Sequence, residues 1–290
     1  YAKGDGQLGA DGKPTFIPLD LSAQRIDGQG DLIASVLRRI NIRGTLQKQG
    51  NIITSTPLRI RSDKLDGALV ALVDLKSGRY DLALTGNIRG VEIRGLGVVD
   101  LQSRIVARPN ARGAFALTGR VGAAMRRLDN AFLRTLGGGL PRLQSDIALG
   151  PDGRLVLGRL SLRAPLLSLN GSGVRNADGT VRIIGSGTHA RYGPVRLTLT
   201  GKLDRPAVDA VLARPLNAAG LADVHLVLTP DMAGYQYTAD GQSTLGAFSS
   251  AGAIELPPGG PQSAIRVDAL KVSGSVGQGR LAIVPGGLAG

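Results

Sequence analysis

The sequence has 290 residues, a formal net charge of +13 from 35 Lys and Arg against 22 Asp and Glu, and no Cys. Without Cys the chain can form no disulfide, no thiolate nucleophile and no Cys-ligated metal site. Hydrophobic residues make up 42% of the chain and aromatic residues only 3%, so the composition excludes disorder and predicts an apolar surface built from aliphatic side chains.

The positive charge is distributed along the chain as single arginines. A basic protein is attracted to nucleic acid or to anionic membrane surfaces. Nucleic-acid modules, however, concentrate basic residues in blocks with interleaved aromatic residues. Here Arg196, for example, stands alone between Val195 and Leu197. We therefore expect solvated arginines on one face of a sheet and no nucleic-acid partner.

No apolar run approaches the roughly 18 residues of a membrane-spanning helix, and the sequence carries no recognisable signal peptide. It opens at Tyr1 without Met and stops inside a repeated pattern. We therefore expect residues 1–290 to be a fragment of a longer protein, with no firm internal domain boundary. The missing anchor and signal then carry no information about the parent chain.

The first predicted element in chain order is a short helix over 31–40, where Ile33, Val36, Leu37 and Ile40 follow helical spacing. Beyond it, apolar and polar residues alternate with the period of two that is typical of a β-strand with one dry and one wet face. The apolar positions of this first half include Tyr80, Leu82, Leu84, Phe115, Leu117, Leu143, Ile147, Leu149, Leu155 and Leu157.

One segment of the first half interrupts the alternation. Met125, Leu128, Phe132 and Leu136 recur at helical spacing, and Gly137–Gly139 would end a helix. We predict one short helix within 121–137.

The second half returns to the period of two. In the strand predicted at 193–203, Arg196, Thr198 and Lys202 point to the wet face. A one-residue slip between Val267 and Leu270 predicts a β-bulge. The dry-face positions of this half include Val195, Leu197, Leu199, Leu203, Val224, Leu226 and Leu228.

Turn residues separate the alternating runs. Asp-Gly occurs seven times, beginning at Asp5, Asp11, Asp27, Asp66, Asp152, Asp178 and Asp240. Between alternating runs this dipeptide favours a β-hairpin, because both residues tolerate a positive φ. The fold class we predict is all-β with one or two short helices, a long antiparallel meander of about twenty strands.

Candidate chemistry is sparse. His189 and His225 have no carboxylate or second histidine nearby in sequence at the spacing of metal ligands. The segment GQSTLG (241–246) misses the spacing of a nucleophile elbow by one residue. We therefore expect no enzyme, no metal and no cofactor.

A succession of weak patterns resembles the AsmA-like/TamB family of bacterial envelope proteins. The stretch LPRLQSDIALGPDGRLVLGRLSLRAPLLSLNGSGV (140–174) precedes a polar hairpin and then LTLTGKLDRPAVDAVL (197–212). In the second stretch, Gly201 to Pro206 matches an order that recurs in this family: an alternating strand, then Gly, an apolar residue and, shortly after, Pro. DNAFLRTLGGGLPRLQSDIAL and the closing GRLAIVPGGLAG also resemble this family. The resemblance covers most of the chain and does not separate the AsmA-like from the TamB-like type.

This resemblance implies an antiparallel sheet curled into a groove that is open along one side (β-taco-like), with an apolar interior. It implies a periplasmic bridge in a Gram-negative bacterium, anchored by its parent chain in the inner membrane, that carries phospholipid acyl chains toward the outer membrane. An Omp85-family outer-membrane protein is an implied partner. The candidate groove residues are Leu82, Leu84, Leu117, Ile147, Leu155, Leu157, Val195, Leu197, Leu199, Leu203, Leu226 and Leu228.

Two alternatives stay open at the level of sequence. A closed β-sandwich would bury the same alternating residues as ordinary core, although an open sheet of this size exceeds the ~10 strands at which twisted sheets curl or split. In function, the alternative is a scaffold or chaperone that assembles outer-membrane β-barrels or autotransporters by templating strands on a free sheet edge.

Overall fold

The computed structural model describes residues 2–3, 13–25, 38–93, 97–129, 131–202, 205–215, 220–255, 263–272, 275–284 and 287–289. These residues form 21 β-strands and one helix, and the strands pair antiparallel in a meander. The prediction of an all-β antiparallel meander is confirmed. The chain divides into two compact units, Tyr1–Leu160 and Ser161–Gly290, which are described in turn.

The first unit contains the helix and the first ten strands, and its boundary with the second unit falls inside the eleventh strand. The elements are β1 (Ala2–Lys3), β2 (Thr15–Arg25), β3 (Arg38–Gln49), β4 (Ile52–Ser55), β5 (Leu58–Arg61), β6 (Leu65–Asp74), β7 (Tyr80–Ile93), β8 (Gly97–Pro109), β9 (Phe115–Leu128), α1 (Ala131–Gly137), β10 (Arg142–Leu149) and β11 (Leu155–Arg163).

From β1 to β10, each strand of the first unit pairs with its neighbour in sequence, with one interruption. β4 and β5 together occupy one position, since both pair with β3 on one side and β6 on the other. Pro57 lies between them and has no N–H to donate to the sheet, which explains why this position is split into two short strands.

Alternation along the strands places the core of the first unit on one face. In β5, Leu58 and Ile60 are buried while the arginines beside them are exposed. The most deeply buried side chains are Val91 and Val99, 1% and 2% exposed, which lie directly opposite each other. They belong to a buried cluster with Ile40, Ile60 and Leu65. We call the face that carries this cluster the apolar face of the first unit.

The second unit contains the remaining strands, each of which pairs with the next. They are β12 (Leu167–Arg175), β13 (Thr180–His189), β14 (Gly193–Lys202), β15 (Ala207–Leu212), β16 (Ala222–Asp231), β17 (Gly234–Ser243), β18 (Gly246–Glu255), β19 (Ser263–Val272), β20 (Ser275–Val284) and β21 (Gly287–Ala289).

Two of the predicted Asp-Gly turns form as expected. Gly179 adopts a φ of 86° between β12 and β13, and the Asp178 carboxylate accepts a hydrogen bond from the Thr180 backbone N–H at 2.8 Å. Gly153 adopts a φ of 74° in the turn between β10 and β11. The predicted bulge in β19 is also confirmed, because register with β18 shifts between Ala269 and Val267.

Two other Asp-Gly pairs were wrongly predicted as turns. Asp66-Gly67 lies inside β6 and Asp240-Gly241 lies inside β17. Both pairs lie on strands that are paired on both sides, and this pairing overrides the local preference for a turn. The pairs that begin at Asp5, Asp11 and Asp27 lie outside the described residues.

The helix predicted within 121–137 is shorter than expected. Only Ala131–Gly137 is helical, whereas Val121 to Leu128 continue β9. In the helix predicted over 31–40, Arg38–Ile40 begin β3, and residues 31–37 lie outside the described part of the chain.

A bulge in β9 explains the misleading helical spacing. Val99 and Val98 are adjacent on β8, but their partners on β9 are Met125 and Arg127. β9 therefore contains one extra residue at this point, Arg126. Apolar residues on either side of a bulge stand three positions apart, which is also a helical spacing.

Candidate functional site

Four of the predicted groove residues share the apolar face of the first unit. Leu84 lies directly opposite Ile105, and Gly119 of β9 lies opposite both Ile105 and Ile147. Directly opposed residues of an antiparallel pair point to the same face. By this register the apolar face carries Leu82, Leu84, Leu117 and Ile147. Leu84 also packs against the buried cluster.

The two candidates on β11 share a face with each other. Leu155 and Leu157 stand two residues apart and are half-buried, while Val156 between them is exposed. This pattern agrees with the predicted alternation.

The second unit brings its described candidates together on one face, which we call the apolar face of the second unit. Leu197 lies opposite Ala210, which in turn lies opposite Leu226. Next to these residues, Leu199 and Leu228 both lie opposite Val208 of β15. Register therefore groups Val195, Leu197, Leu199, Leu226 and Leu228. Leu203 lies outside the described residues.

Burial along this face is uneven. Val195 and Leu228 are buried, whereas Leu197, Leu199 and Leu226 are only half-buried. All five side chains lie on strands that are paired on both sides. Position at the edge of a sheet therefore does not explain the exposure, which leaves apolar area available on the face.

Glycines on the same face mark close approach between β12 and β13. A Cβ added at Gly187 would lie 1.8 Å from the Ser168 carbonyl oxygen, and one at Gly171 would lie 2.0 Å from the Ile184 carbonyl oxygen. Real Cβ atoms cannot occupy such positions, so these two strands need glycine there. Gly185, on the same strand and face as Gly187, has no atom closer than 3.4 Å to an added Cβ.

The opposite face of the first unit carries ion pairs between strands. Asp81 Oδ2 lies 2.6 Å from Arg108 Nη2. Asp146 accepts hydrogen bonds from Arg159 and Arg120, and these bonds hold the pKa of Asp146 below its ordinary value of 3.8. Such exposed pairs add little stability one by one, but they identify this face as the solvated one.

In the second unit, the expected exposure of Arg196 and Lys202 is confirmed, and Thr198 is half-buried. The arginine and lysine flank the leucines of β14 in sequence but point to the opposite face.

The structure gives His225 partners from neighbouring strands and His189 partners from the turn that follows it. His225 Nε2 lies 3.0 Å from Asp209 Oδ1 and its Nδ1 lies 3.7 Å from Asp240 Oδ1, across three adjacent strands. His189 is buried at the end of β13, stacks on the Tyr192 ring at 4.1 Å, and accepts a hydrogen bond from the Tyr192 backbone N–H. The expectation that neither histidine has a nearby carboxylate was wrong for His225, because antiparallel pairing joins residues far apart in sequence.

Sequence reasoning also missed a polar pair on the apolar face of the second unit. The Tyr237 hydroxyl lies 3.0 Å from Ser250 Oγ, and Tyr237 is only 9% exposed. Gly252 lies directly opposite Tyr237, and its missing side chain leaves room for the tyrosine ring. The apolar face is therefore not purely aliphatic.

No family model, curated protein or solved structure matches this chain. Among the described residues, no helix has the length and hydrophobicity that crossing a membrane requires.

Proposed function

We propose that this chain is a periplasmic part of a bridge-like protein of the AsmA-like/TamB type. Its apolar face would form a groove that conducts phospholipid between the inner and outer membranes and so supports outer-membrane biogenesis. The observation that carries the proposal is the aliphatic face of the second unit, where Leu197, Leu199 and Leu226 are half-buried on interior strands.

Aliphatic side chains suit this role physically. Transfer of each CH₂ group from water to an apolar surface is worth about 0.8 kcal/mol, so an acyl chain gains substantially by lying on such a face. Leu and Val offer contact without fixed hydrogen-bond geometry, which lets a chain slide. Cross-strand ion pairs on the other face, such as Asp81 with Arg108, keep that face in water.

Strand pairing favours use of the side-chain face over use of a sheet edge. Strands β6–β9 and β13–β19 are each paired on both sides. A template for nascent barrel strands needs unpaired backbone N–H and C=O groups, and these strands have used theirs. An inner-membrane anchor in the parent chain and an Omp85-family partner belong to the proposal through the family resemblance.

Photo-crosslinking tests the proposal residue by residue. We would place p-benzoyl-phenylalanine at residue 197 of the parent protein in cells, and at residue 196 as the matched control on the opposite face. Ultraviolet irradiation should give phospholipid adducts at residue 197 and none at residue 196, detected by mass spectrometry of the purified protein. Phospholipid should also co-purify with the unmodified protein at near-stoichiometric levels.

Equal lipid labelling at both residues, or none at either, would contradict a lipid-conducting apolar face. Adducts to outer-membrane proteins instead of lipid at residue 197 would favour the scaffold alternative.

A further inference from the structure

An apolar cavity adjoins one end of the apolar face of the second unit. It is a wide-open depression with a volume of about 340 Å³, lined by Leu221, Leu245, Phe248, Leu270 and Val272 together with the polar residues Ser243 and Thr244. Phe248 lies opposite Val272 in the sheet, so the wall of the cavity continues the apolar face. The volume falls at the lower end of the ~300–1,000 Å³ that is typical of small-molecule sites.

The hydroxyl pair of Tyr237 and Ser250 stands beside this cavity. Ser250 lies directly opposite Leu270, and Phe248 is the next residue of β18 on the same face. The tyrosine ring extends over Gly252, so its hydroxyl reaches from one row of the apolar face to the next, where it meets Ser250. The two hydroxyl groups are therefore polar groups at the edge of the apolar cavity.

The Tyr237–Ser250 pair has one hydroxyl hydrogen that it can donate to a ligand. Two hydroxyl groups carry two hydrogens, and the single hydrogen bond between Tyr237 and Ser250 uses only one of them. Within the described residues the structure gives neither hydroxyl a second partner. One O–H donor is therefore left for an acceptor oxygen that lies on the apolar face.

The charges around the pair select the kind of acceptor. The described residues of the apolar face on β16 to β19 include no Asp, Glu, Lys or Arg, and the nearby cations Lys271 and Arg266 lie on the opposite face, across from Ser249 and Ala253. A carboxylate or phosphate would find no counter-charge here and would lose its hydration. A neutral carbonyl oxygen fits both the donor and the surroundings.

We propose that this end of the second unit binds the head of a single acyl ester. The hydrocarbon chain fills the cavity beside Phe248 and Leu270, and the ester carbonyl accepts a hydrogen bond from the Tyr237–Ser250 pair. This inference rests on the proposed function and makes it specific: the face recognises ester-linked lipid at one fixed point rather than any hydrocarbon.

Binding of two matched probes tests the inference. Radiolabelled methyl palmitate and radiolabelled hexadecane, each delivered from cyclodextrin, would be measured by equilibrium dialysis against the purified protein. The decisive variant is the double substitution Tyr237→Phe, Ser250→Ala, because either hydroxyl alone can still donate to the ester. Removing both partners also leaves no unpaired polar group, and Ser249→Ala on the opposite face is the matched control.

We expect the double variant to bind methyl palmitate about three- to tenfold more weakly, the effect of one lost hydrogen bond, and to bind hexadecane as the unmodified protein does. Phe248→Ala should weaken both probes, because it removes part of the cavity wall. Ser249→Ala should change neither.

Three results would overturn the inference while leaving the apolar face intact as a lipid surface. These are an unchanged ester affinity in the double variant, an equal loss for both probes in that variant, or a free palmitate that binds more tightly than its methyl ester at pH 8. Unchanged binding in Phe248→Ala would likewise remove the cavity from the site. If the unmodified protein binds neither probe, the proposed function itself fails, and this inference fails with it.

Discussion

The two units carry the same alternating pattern, and within each unit the depth of burial differs from one apolar position to the next. In the first, Val91 and Val99 face each other and are almost fully buried. In the second, Leu197 lies between Gly185 and Ala210 on its neighbouring strands and is half-buried. Alternation decides which face a side chain occupies, but the size of the cross-strand neighbours does not by itself set the exposure, because Leu199 lies between Ile183 and Val208 and is also half-buried.

A charge placed in each unit should separate the two environments most strongly. In Val99→Asp, a carboxylate would replace a buried side chain in the core cluster without a partner, at a cost of more than about 3 kcal/mol. We expect the first unit to unfold in this variant, as measured by urea denaturation followed by circular dichroism. Val98→Asp, on the adjacent half-buried position of the opposite face, is the control and should stay folded.

The matching change in the second unit should leave the fold intact. A Leu197→Asp, Leu199→Asp double variant puts two carboxylates on a face from which they can reach water, so the urea midpoint should fall less than in Val99→Asp. Co-purified phospholipid, measured by mass spectrometry, should drop severalfold because a charge in the path of an acyl chain must be desolvated. Unfolding as complete as that of Val99→Asp would instead favour a closed sandwich core.

A smaller effect should come from the glycines that allow close strand approach. Gly187→Ala would bring a Cβ within 1.8 Å of a backbone oxygen, and we expect a loss of about 1–3 kcal/mol in the free energy of unfolding. Gly185→Ala, on the same strand and face, has room for the methyl group and should be neutral or stabilising by up to about 1 kcal/mol. Equal effects of the two substitutions would mean that the contact with Ser168 is not tight.

The smallest effect should appear on the solvated face of the first unit, as a dependence on pH. The pKa of Asp146 is lowered by hydrogen bonds from Arg159 and Arg120, so its contribution to stability is present above the unfolded-state pKa and is lost as the pH falls through the folded-state pKa. Asp146→Asn should therefore lower the thermal midpoint slightly at pH 7. The difference from the unmodified protein should shrink as the pH falls below 3.8 and vanish below the folded-state pKa.

The matched control for this substitution is Asp66→Asn. Its carboxylate lies 3.7 Å from a single guanidinium, that of Arg61, so its thermal midpoint should change less at pH 7. A difference between Asp146→Asn and the unmodified protein that persists at the lowest pH would contradict the assignment to the ionised carboxylate.

Outside the two segments predicted as helix, the period of two predicted the strands and the faces of their residues. The grouping of Leu197 with Leu226 follows from alternation once the hairpins are in register. The helix prediction was wrong between Val121 and Leu128 because the extra residue Arg126 in a bulge copies helical spacing. A bulged strand and a helix are distinguished only by the pairing between strands, and a short stretch of sequence does not contain that information.

The polar features of the face could not be predicted for the same reason. Tyr237 and Ser250 are 13 residues apart in sequence, and nothing in either strand alone indicates that their hydroxyls meet. The same holds for His225, whose carboxylate neighbours come from the strands on either side. Burial depth is equally non-local, because Leu197 and Val99 look alike in their own strands.

The pairing of nearly every strand with its neighbour in sequence gives this architecture an adjustable length. Deleting or duplicating one hairpin, such as β13 with β14, would join strands that already run antiparallel and would leave the remaining pairings unchanged. Each strand occupies about 4.8 Å in the hydrogen-bonding direction, so a gene could lengthen or shorten the sheet in increments of about 10 Å. The number of hairpins would then determine how far the sheet reaches between two fixed points, and evolution could change that distance by adding or removing hairpins.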